Sequence, residues 1–215
     1  MKSKFRLSLV LVWLTVLFAQ AEDDKYVTTM KKQILAVYQA QTVESLAEVV
    51  NTFDRISAAE KEKWEPLYYA AFGRVMMATR ETDNKKKDAY LEIALKNVEA
   101  VKQIASADVS EVVALEGFVY MMMVTVDPAS RGQLYSGKAF AAYQKALQIN
   151  PNNPRALSLL AQMQYGTAKF FNGSTDEACQ TGQEAVAKFK EEKDEISLKP
   201  IWGKGMAEKF LSQCK

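Results

Sequence analysis

Residues 139–154 read AFAAYQKALQINPNNP, and this stretch decides the fold. Ala139, Tyr143 and Ala146 recur at intervals of four and three residues, so one large aromatic side chain lies between two small ones on the same helix face. The small residues let a neighbouring helix approach closely, and Tyr143 fills the space between the two helices. Pro151 then ends the helix. The stretch therefore predicts a helix that packs tightly on its neighbour and stops at a sharp turn.

The rest of the chain repeats this kind of pattern. Apolar residues fall at helical spacing in one segment after another, and no segment shows a sustained strand alternation. The interruptions delimit nine predicted helices, near residues 25–40, 42–57, 60–79, 85–105, 109–125, 136–149, 154–167, 174–191 and 203–213. Hairpins of similar length that stack in order form a solenoid. We therefore expect an all-α helical-hairpin solenoid with a C-terminal capping helix.

The first 21 residues have the composition of a secretory signal. Three basic residues precede twelve mainly apolar ones, and Ala19-Gln20-Ala21 is a small-x-small cleavage site. A helix of that apolar length covers about 18 Å, whereas the hydrocarbon core of a membrane is about 30 Å thick. We predict cleavage after Ala21, a single domain over residues 22–215, and no stable membrane anchor after cleavage. The protein is expected to be exported, either periplasmic or secreted.

Composition narrows the function. The chain contains no histidine, which excludes Ser–His or Cys–His nucleophiles and His-ligated metal sites. It carries 28 basic and 26 acidic residues, with three of the basic ones in the leader, so the mature chain is nearly neutral. A nucleic-acid partner would require a sustained basic stripe, and the sequence has none. No carboxylate pair stands out from the solvated helix faces. We expect no enzyme activity, no catalytic residues, no metal site and no cofactor.

The two cysteines are Cys179 and Cys214. An even number of cysteines in an exported chain favours one disulfide, and the alternative is two free thiols. The bond would fasten the closing helix to the predicted 174–191 helix. Four apolar side chains of the closing region are expected to pack on that same helix: Trp202, Met206, Phe210 and Leu211.

The opening stretch resembles the second half of a tetratricopeptide repeat. Gly117 and Tyr120 lie at the spacing of the small and aromatic positions of that repeat's first helix. The resemblance is good over residues 110–190, fair over 60–105 and absent before that. It implies a right-handed solenoid of the tetratricopeptide type. Relative to a regular repeat, the chain has insertions at 126–133 and 169–173.

The chain also resembles a group of small exported repeat proteins of Bacteroidota-type bacteria. The residues that carry this likeness are NPNNPRA at 150–156, FFNG at 170–173 and PIWGK at 200–204, followed by a closing helix that ends in Cys214. This resemblance implies a compartment and an architecture more than an activity.

The repeat resemblance implies a concave groove lined by set positions of each first helix. The groove residues expected on this basis include Tyr69, Phe72, Glu111, Phe118, Met121, Arg155, Gln162 and Tyr165. Aromatic and methionine side chains with a few charges suit an apolar or helical peptide, with Arg155 binding an acidic group. The alternative is that Phe72, Phe118 and Met121 are core residues, because a one-residue shift in register buries them.

The function expected from these features is an exported, non-enzymatic scaffold that binds a protein or peptide of the cell envelope in its groove. The alternative is a small-ligand module, in which the aromatic groove and the Phe170-Phe171 insertion hold a sugar or a lipid.

Overall fold

The structure is a computed structural model that describes residues 24–192 and 197–214. These residues form nine helices and contain no strand, which confirms the all-α prediction. The predicted leader lies outside the described residues. The helices are α1 (24–39), α2 (Val43–Ala59), α3 (Glu65–Arg80), α4 (Asn84–Val101), α5 (Val109–Val126), α6 (Pro128–Ile149), α7 (Pro154–Phe170), α8 (Asp176–Glu191) and α9 (Lys204–Leu211).

Consecutive helices pack against one another along the chain, and α3, α5, α7 and α9 also contact each other in that order. The odd-numbered helices from α3 onward therefore form an inner layer, and α4, α6 and α8 lie on its outer side. Because alternate helices of a hairpin array run in the same direction, α3 and α5 are parallel. This is the solenoid that the sequence predicts.

The opening stretch packs as expected. Ala139 and Ala146 are fully buried, and so is the Tyr143 side chain between them. The facing residue on α5 is Gly117, where a Cβ atom would lie only 2.3 Å from Cε1 of Tyr143. Because Gly117 has no Cβ atom, α5 and α6 can approach each other closely.

The two predicted insertions are wrong in detail. Residues 128–133 are helical, because α6 begins at Pro128 and not near residue 136. Asp127 both follows α5 and caps α6, since its carboxylate accepts a hydrogen bond from the Ser130 amide at 3.2 Å. Proline is well tolerated at the first helical position. Similarly, α7 continues to Phe170, so only a short link precedes α8.

Helix α5 lies at the centre of the fold. By length and composition its 18 residues could cross a membrane, with a mean hydropathy of 1.6, a feature that the sequence analysis overlooks. However, 61% of this window is buried inside the structure. Its two carboxylates are paired, Glu111 with Arg155 and Glu116 with Lys102, both at 2.8 Å. These contacts are those of a core helix.

The C-terminal end is closed by the predicted disulfide. Cys179 and Cys214 are bonded, with an S–S distance of 2.06 Å. Phe210 and Leu211 of α9 contact α8 at Gly182, where a Cβ atom would lie 2.5 Å from the Phe210 ring. The expectation for Trp202 is wrong, because its indole packs on the inner layer instead of α8.

Candidate functional site

The non-helical residues 197–203, which we call the strap, cross the face of the inner layer that carries Phe72 and Phe118 before α9 begins. This is the face that the repeat resemblance predicts to be a concave groove, and we call it the concave face. The indole of Trp202 stacks on the ring of Phe72 on α3 and on the ring of Phe118 on α5. Its centroid is 5.1 Å from Phe72 at 20° and 5.6 Å from Phe118 at 25°, so the three rings form a stack. Gly203, at a φ of 108°, supplies the left-handed turn into α9.

Hydrogen bonds with three tyrosine hydroxyls hold the strap in place. The Trp202 indole Nε1 donates to the Tyr68 hydroxyl at 2.9 Å. The Tyr69 hydroxyl donates to the Lys199 carbonyl at 2.7 Å, and the Ile201 amide donates to the Tyr38 hydroxyl at 3.4 Å. Burial raises the pKa of Tyr38 to about 12, and it raises the pKa values of Tyr68 and Tyr69 well above the ordinary value. The three phenols are therefore neutral hydrogen-bonding groups at neutral pH.

Arg155, in the first turn of α7, fixes the other edge of the strap. Its side chain is only 3% exposed, and its Nη1 donates to the Trp202 carbonyl at 2.9 Å. Its Nε donates to Oε2 of Glu111 at 2.8 Å, and its Nη2 pairs with Glu192. A buried charge requires such partners. The guanidinium also lies over the Phe189 ring, 5.5 Å from the centroid.

Burial and the neighbouring charges together shift the pKa values of this ion pair. Burial raises the pKa of the Glu111 carboxyl despite the opposing effect of Arg155. Burial lowers the pKa of Arg155, but the charge of Glu111 and the hydrogen bonds to both glutamates outweigh it, so the net pKa is above its ordinary value. Arg155 therefore stays charged under any conditions in which the protein is folded.

The structure brings together five of the residues predicted to line the groove. Tyr69, Phe72, Glu111, Phe118 and Arg155 all surround the strap, and all five are buried. The strap itself occupies the position at which a bound peptide was expected.

Two more of the predicted groove residues, Gln162 and Tyr165, lie farther along α7 and are half-buried. The Gln162 amide donates to the Ser158 carbonyl at 3.2 Å. The Tyr165 ring packs edge-on against Phe210, with centroids 5.5 Å apart.

Beyond the Trp202 stack, the concave face is lined by methionine. Met76 follows Phe72 by four residues on α3, and Met121 follows Phe118 by three on α5, so each extends the same helix face by one turn. Both side chains are half-buried. Because α3 and α5 are parallel, the two methionines lie on the same side of the stack. Flexible thioethers make this part of the face apolar and adaptable.

Two further features lie outside this apolar face. A polar cavity of about 240 Å³ borders Arg155, with lysine and carboxylate side chains among its lining residues; ligand pockets commonly measure about 300–1,000 Å³. Phe170 and Phe171 are 79% and 73% exposed at the end of α7 and contact each other edge-on. They therefore form an exposed aromatic pair at the edge of the molecule.

Sequence reasoning missed Tyr38, Tyr68 and Trp202 as parts of this site. Trp202 was assigned to the closing cap, and the two tyrosines to no site. Tyr68 precedes Tyr69 in the chain, and this adjacent aromatic pair is the signal that could have identified it.

Comparison with known proteins gives one solved structure with a matching fold. The chain is similar to a haemophore. The HusA haemophore from Porphyromonas gingivalis superposes with a TM-score of 0.78 at 27% sequence identity, over 87% of this chain and 92% of the haemophore. No protein-family model matches the chain, and no curated protein matches it.

The likeness to the haemophore runs through almost the whole fold. It agrees with the helical-repeat architecture and with the expected relation to Bacteroidota proteins. The tetratricopeptide assignment stays a prediction, because no family model supports it.

Proposed function

We propose that this protein is an exported carrier that binds haem or a related flat tetrapyrrole on its concave face. The observation that carries the proposal is the likeness to the HusA haemophore over 87% of the chain. Tetrapyrroles are large, flat and apolar, and the inner layer carries flat aromatic rings beneath the strap and half-buried, adaptable methionines beyond it.

The chemistry of the chain sets how such a ligand would be held. The sequence offers no imidazole for iron, and both cysteines are joined in the disulfide. Tyrosine and methionine are the other side chains that ligate haem iron, and the three phenols beside the strap are neutral and hydrogen-bonded. We therefore propose that ring contacts with aromatic and methionine side chains supply most of the affinity. We accordingly expect metal-free protoporphyrin IX to bind with an affinity similar to that of haemin.

A second candidate is the protein- or peptide-binding scaffold. It is favoured by one observation: the concave face already holds an extended segment of polypeptide through main-chain atoms. Tyr69 and Arg155 donate to carbonyl groups of the strap, and Tyr38 accepts from one of its amides. A peptide from another protein could use the same donors and acceptor.

Titration of the chain from Glu22 with haemin distinguishes the candidates. We expect saturable growth of a shifted Soret band with one haemin per chain. Met121→Glu places a charge on the apolar concave face and is expected to weaken haemin binding by at least tenfold. Ile149→Glu, at an exposed position on the outer helix α6, is the matched control and should leave binding unchanged. Absence of saturable binding by the parent chain would reject the carrier and leave the scaffold.

Export itself is tested separately. We propose that the leader is removed after Ala21 and that the disulfide forms outside the cytoplasm. N-terminal sequencing of the protein recovered from the envelope and the medium should begin at Glu22. A chain that retains Met1 would contradict this proposal.

A further inference from the structure

Phe72 and Phe118 each present a ring on which a flat group can stack, and in this structure the Trp202 indole occupies that position, which we call the slot. The two phenylalanines belong to neighbouring inner helices, whereas Trp202 comes from the non-helical strap. Both interplanar angles are 25° or less. Stacking of this kind tolerates any π-face of suitable size, because it depends on flatness and burial more than on particular atoms.

We infer that the flat ring of the ligand stacks on Phe72 and Phe118 in the place of Trp202, and that Trp202 leaves with the strap to make room. The inference rests on the proposed function and deepens it by naming the site and the group that competes for it. The indole fills the slot, so a ring and Trp202 cannot occupy it together.

The donors that hold the strap match a ligand carrying carboxylates. The Tyr69 hydroxyl and Arg155 Nη1 both donate to carbonyl oxygens of the strap, at Lys199 and Trp202. When the strap leaves, these buried donors need new acceptors, since an unsatisfied buried donor is costly. Carboxylate oxygens at the edge of a tetrapyrrole accept the same kind of bond. Arg155 already faces Glu111 and Glu192, so a ligand carboxylate would replace Glu192, the more exposed of the two.

The described contacts of the strap are the stacking and burial of Trp202, the packing of Leu198 against the core, the three tyrosine hydrogen bonds, and the hydrogen bond and cation–π contact from Arg155. Each hydrogen bond contributes only about 0.5–1.5 kcal/mol net. Removing one of these contacts without altering the slot should therefore shift the competition toward the ligand by a measurable factor.

The first test follows the environment of Trp202 directly. The chain from Glu22 contains two tryptophans, Trp64 and Trp202. Both are labelled with 5-fluorotryptophan and assigned with Trp64→Phe. Titration with metal-free protoporphyrin IX is expected to give the Trp202 fluorine the H₂O/D₂O isotope shift of an exposed indole. The fluorine of buried Trp64 should remain shielded. A Trp202 fluorine that stays shielded at saturation would overturn the inference and leave the proposed carrier intact.

The second test weakens the strap without changing the slot. Tyr68→Phe removes the hydroxyl that accepts from the Trp202 indole and keeps the ring. We expect haemin affinity to rise about threefold to tenfold. Tyr143→Phe is the matched control, because that buried hydroxyl has no hydrogen-bond partner among the described residues.

The outcomes separate the two proposals. An unchanged or lower haemin affinity in Tyr68→Phe overturns the inference. An equal rise of haemin affinity in Tyr68→Phe and Tyr143→Phe also overturns it. If neither haemin nor protoporphyrin IX binds any of these proteins, both the inference and the carrier proposal fail.

Discussion

The Tyr143 ring lies directly on Gly117, so that a Cβ atom at Gly117 would be 2.3 Å from the ring edge. Gly117→Ala therefore forces α5 and α6 apart, and we expect it to destabilise the fold by about 1–3 kcal/mol, as overpacking does. Gly132→Ala on α6 is the control, since a Cβ atom there has nothing within 4 Å. That variant should be neutral or up to about 1 kcal/mol more stable, because alanine is the better helix former. Urea unfolding followed by circular dichroism measures the free energy of unfolding of both variants. Equal values would show that the Gly117–Tyr143 contact tolerates a Cβ atom.

The disulfide closes a sequence separation of 35 residues. In the chain-entropy description, such a bond stabilises a protein by about 3–4 kcal/mol. Reduction with dithiothreitol is therefore expected to lower the melting temperature by several degrees. The double variant Cys179→Ala/Cys214→Ala should melt near the reduced protein and show no response to the reductant. A melting temperature that reduction leaves unchanged would mean that the bond adds nothing to the fold.

Buried phenols make the fold sensitive to alkali. Burial raises the pKa of Tyr38 to about 12 and the pKa values of Tyr68, Tyr69 and Tyr143 well above the ordinary value of 10.0. The native state keeps these protons while the unfolded phenols ionise, so the contribution to stability is complete below pH 10 and is lost as the pH rises toward 12.

Urea unfolding at pH 8 and pH 11 measures this loss. Each fully buried phenol should account for about 1 kcal/mol of it at pH 11. Tyr143→Phe removes one such group without removing a hydrogen bond, and it should reduce the loss by that amount. A loss of the same size in the variant would show that Tyr143 does not contribute.

The carboxylates of the ligand should raise its affinity if they accept hydrogen bonds from Tyr69 and Arg155, the donors that hold the strap. We expect protoporphyrin IX dimethyl ester to bind at least tenfold more weakly than the free diacid. Tyr69→Phe removes one of these donors, so it should narrow the difference between diacid and ester by about threefold. Fluorescence titration of the porphyrin measures all four affinities. Equal affinities for diacid and ester would indicate that only the ring is recognised.

Local sequence signals predicted most of the architecture. Helical spacing and turn residues placed nearly all helices, and the repeat resemblance put Phe118 and Arg155 on the face where both meet the strap. The start of α6 was missed because Asp127-Pro128 carries two signals at once. It ends α5, and it also caps α6 with a proline at the first helical position.

The strap could not be predicted by the same means. Its hydrogen bonds join residues that are far apart in the sequence. Trp202 and Tyr68 are separated by 134 positions, and Lys199 and Tyr69 by 130. A non-helical segment has no periodicity that would reveal which face it meets. A tryptophan just before a closing helix fits a cap equally well, and only the three-dimensional arrangement of Phe72 and Phe118 shows the slot that it fills.

The strap lies between two cysteines that are covalently joined, so it remains tethered when it leaves the inner layer. The effective concentration of the Trp202 indole at the slot therefore stays high, and the ligand competes with a group of the same chain. Only molecules whose slot is open bind the ligand. The apparent association constant is therefore the intrinsic constant multiplied by the small fraction of such molecules. Reduction of the disulfide lengthens the tether and lowers that local concentration. Reduction of the disulfide is therefore expected to lower the stability of the fold and to raise the apparent affinity for the ligand.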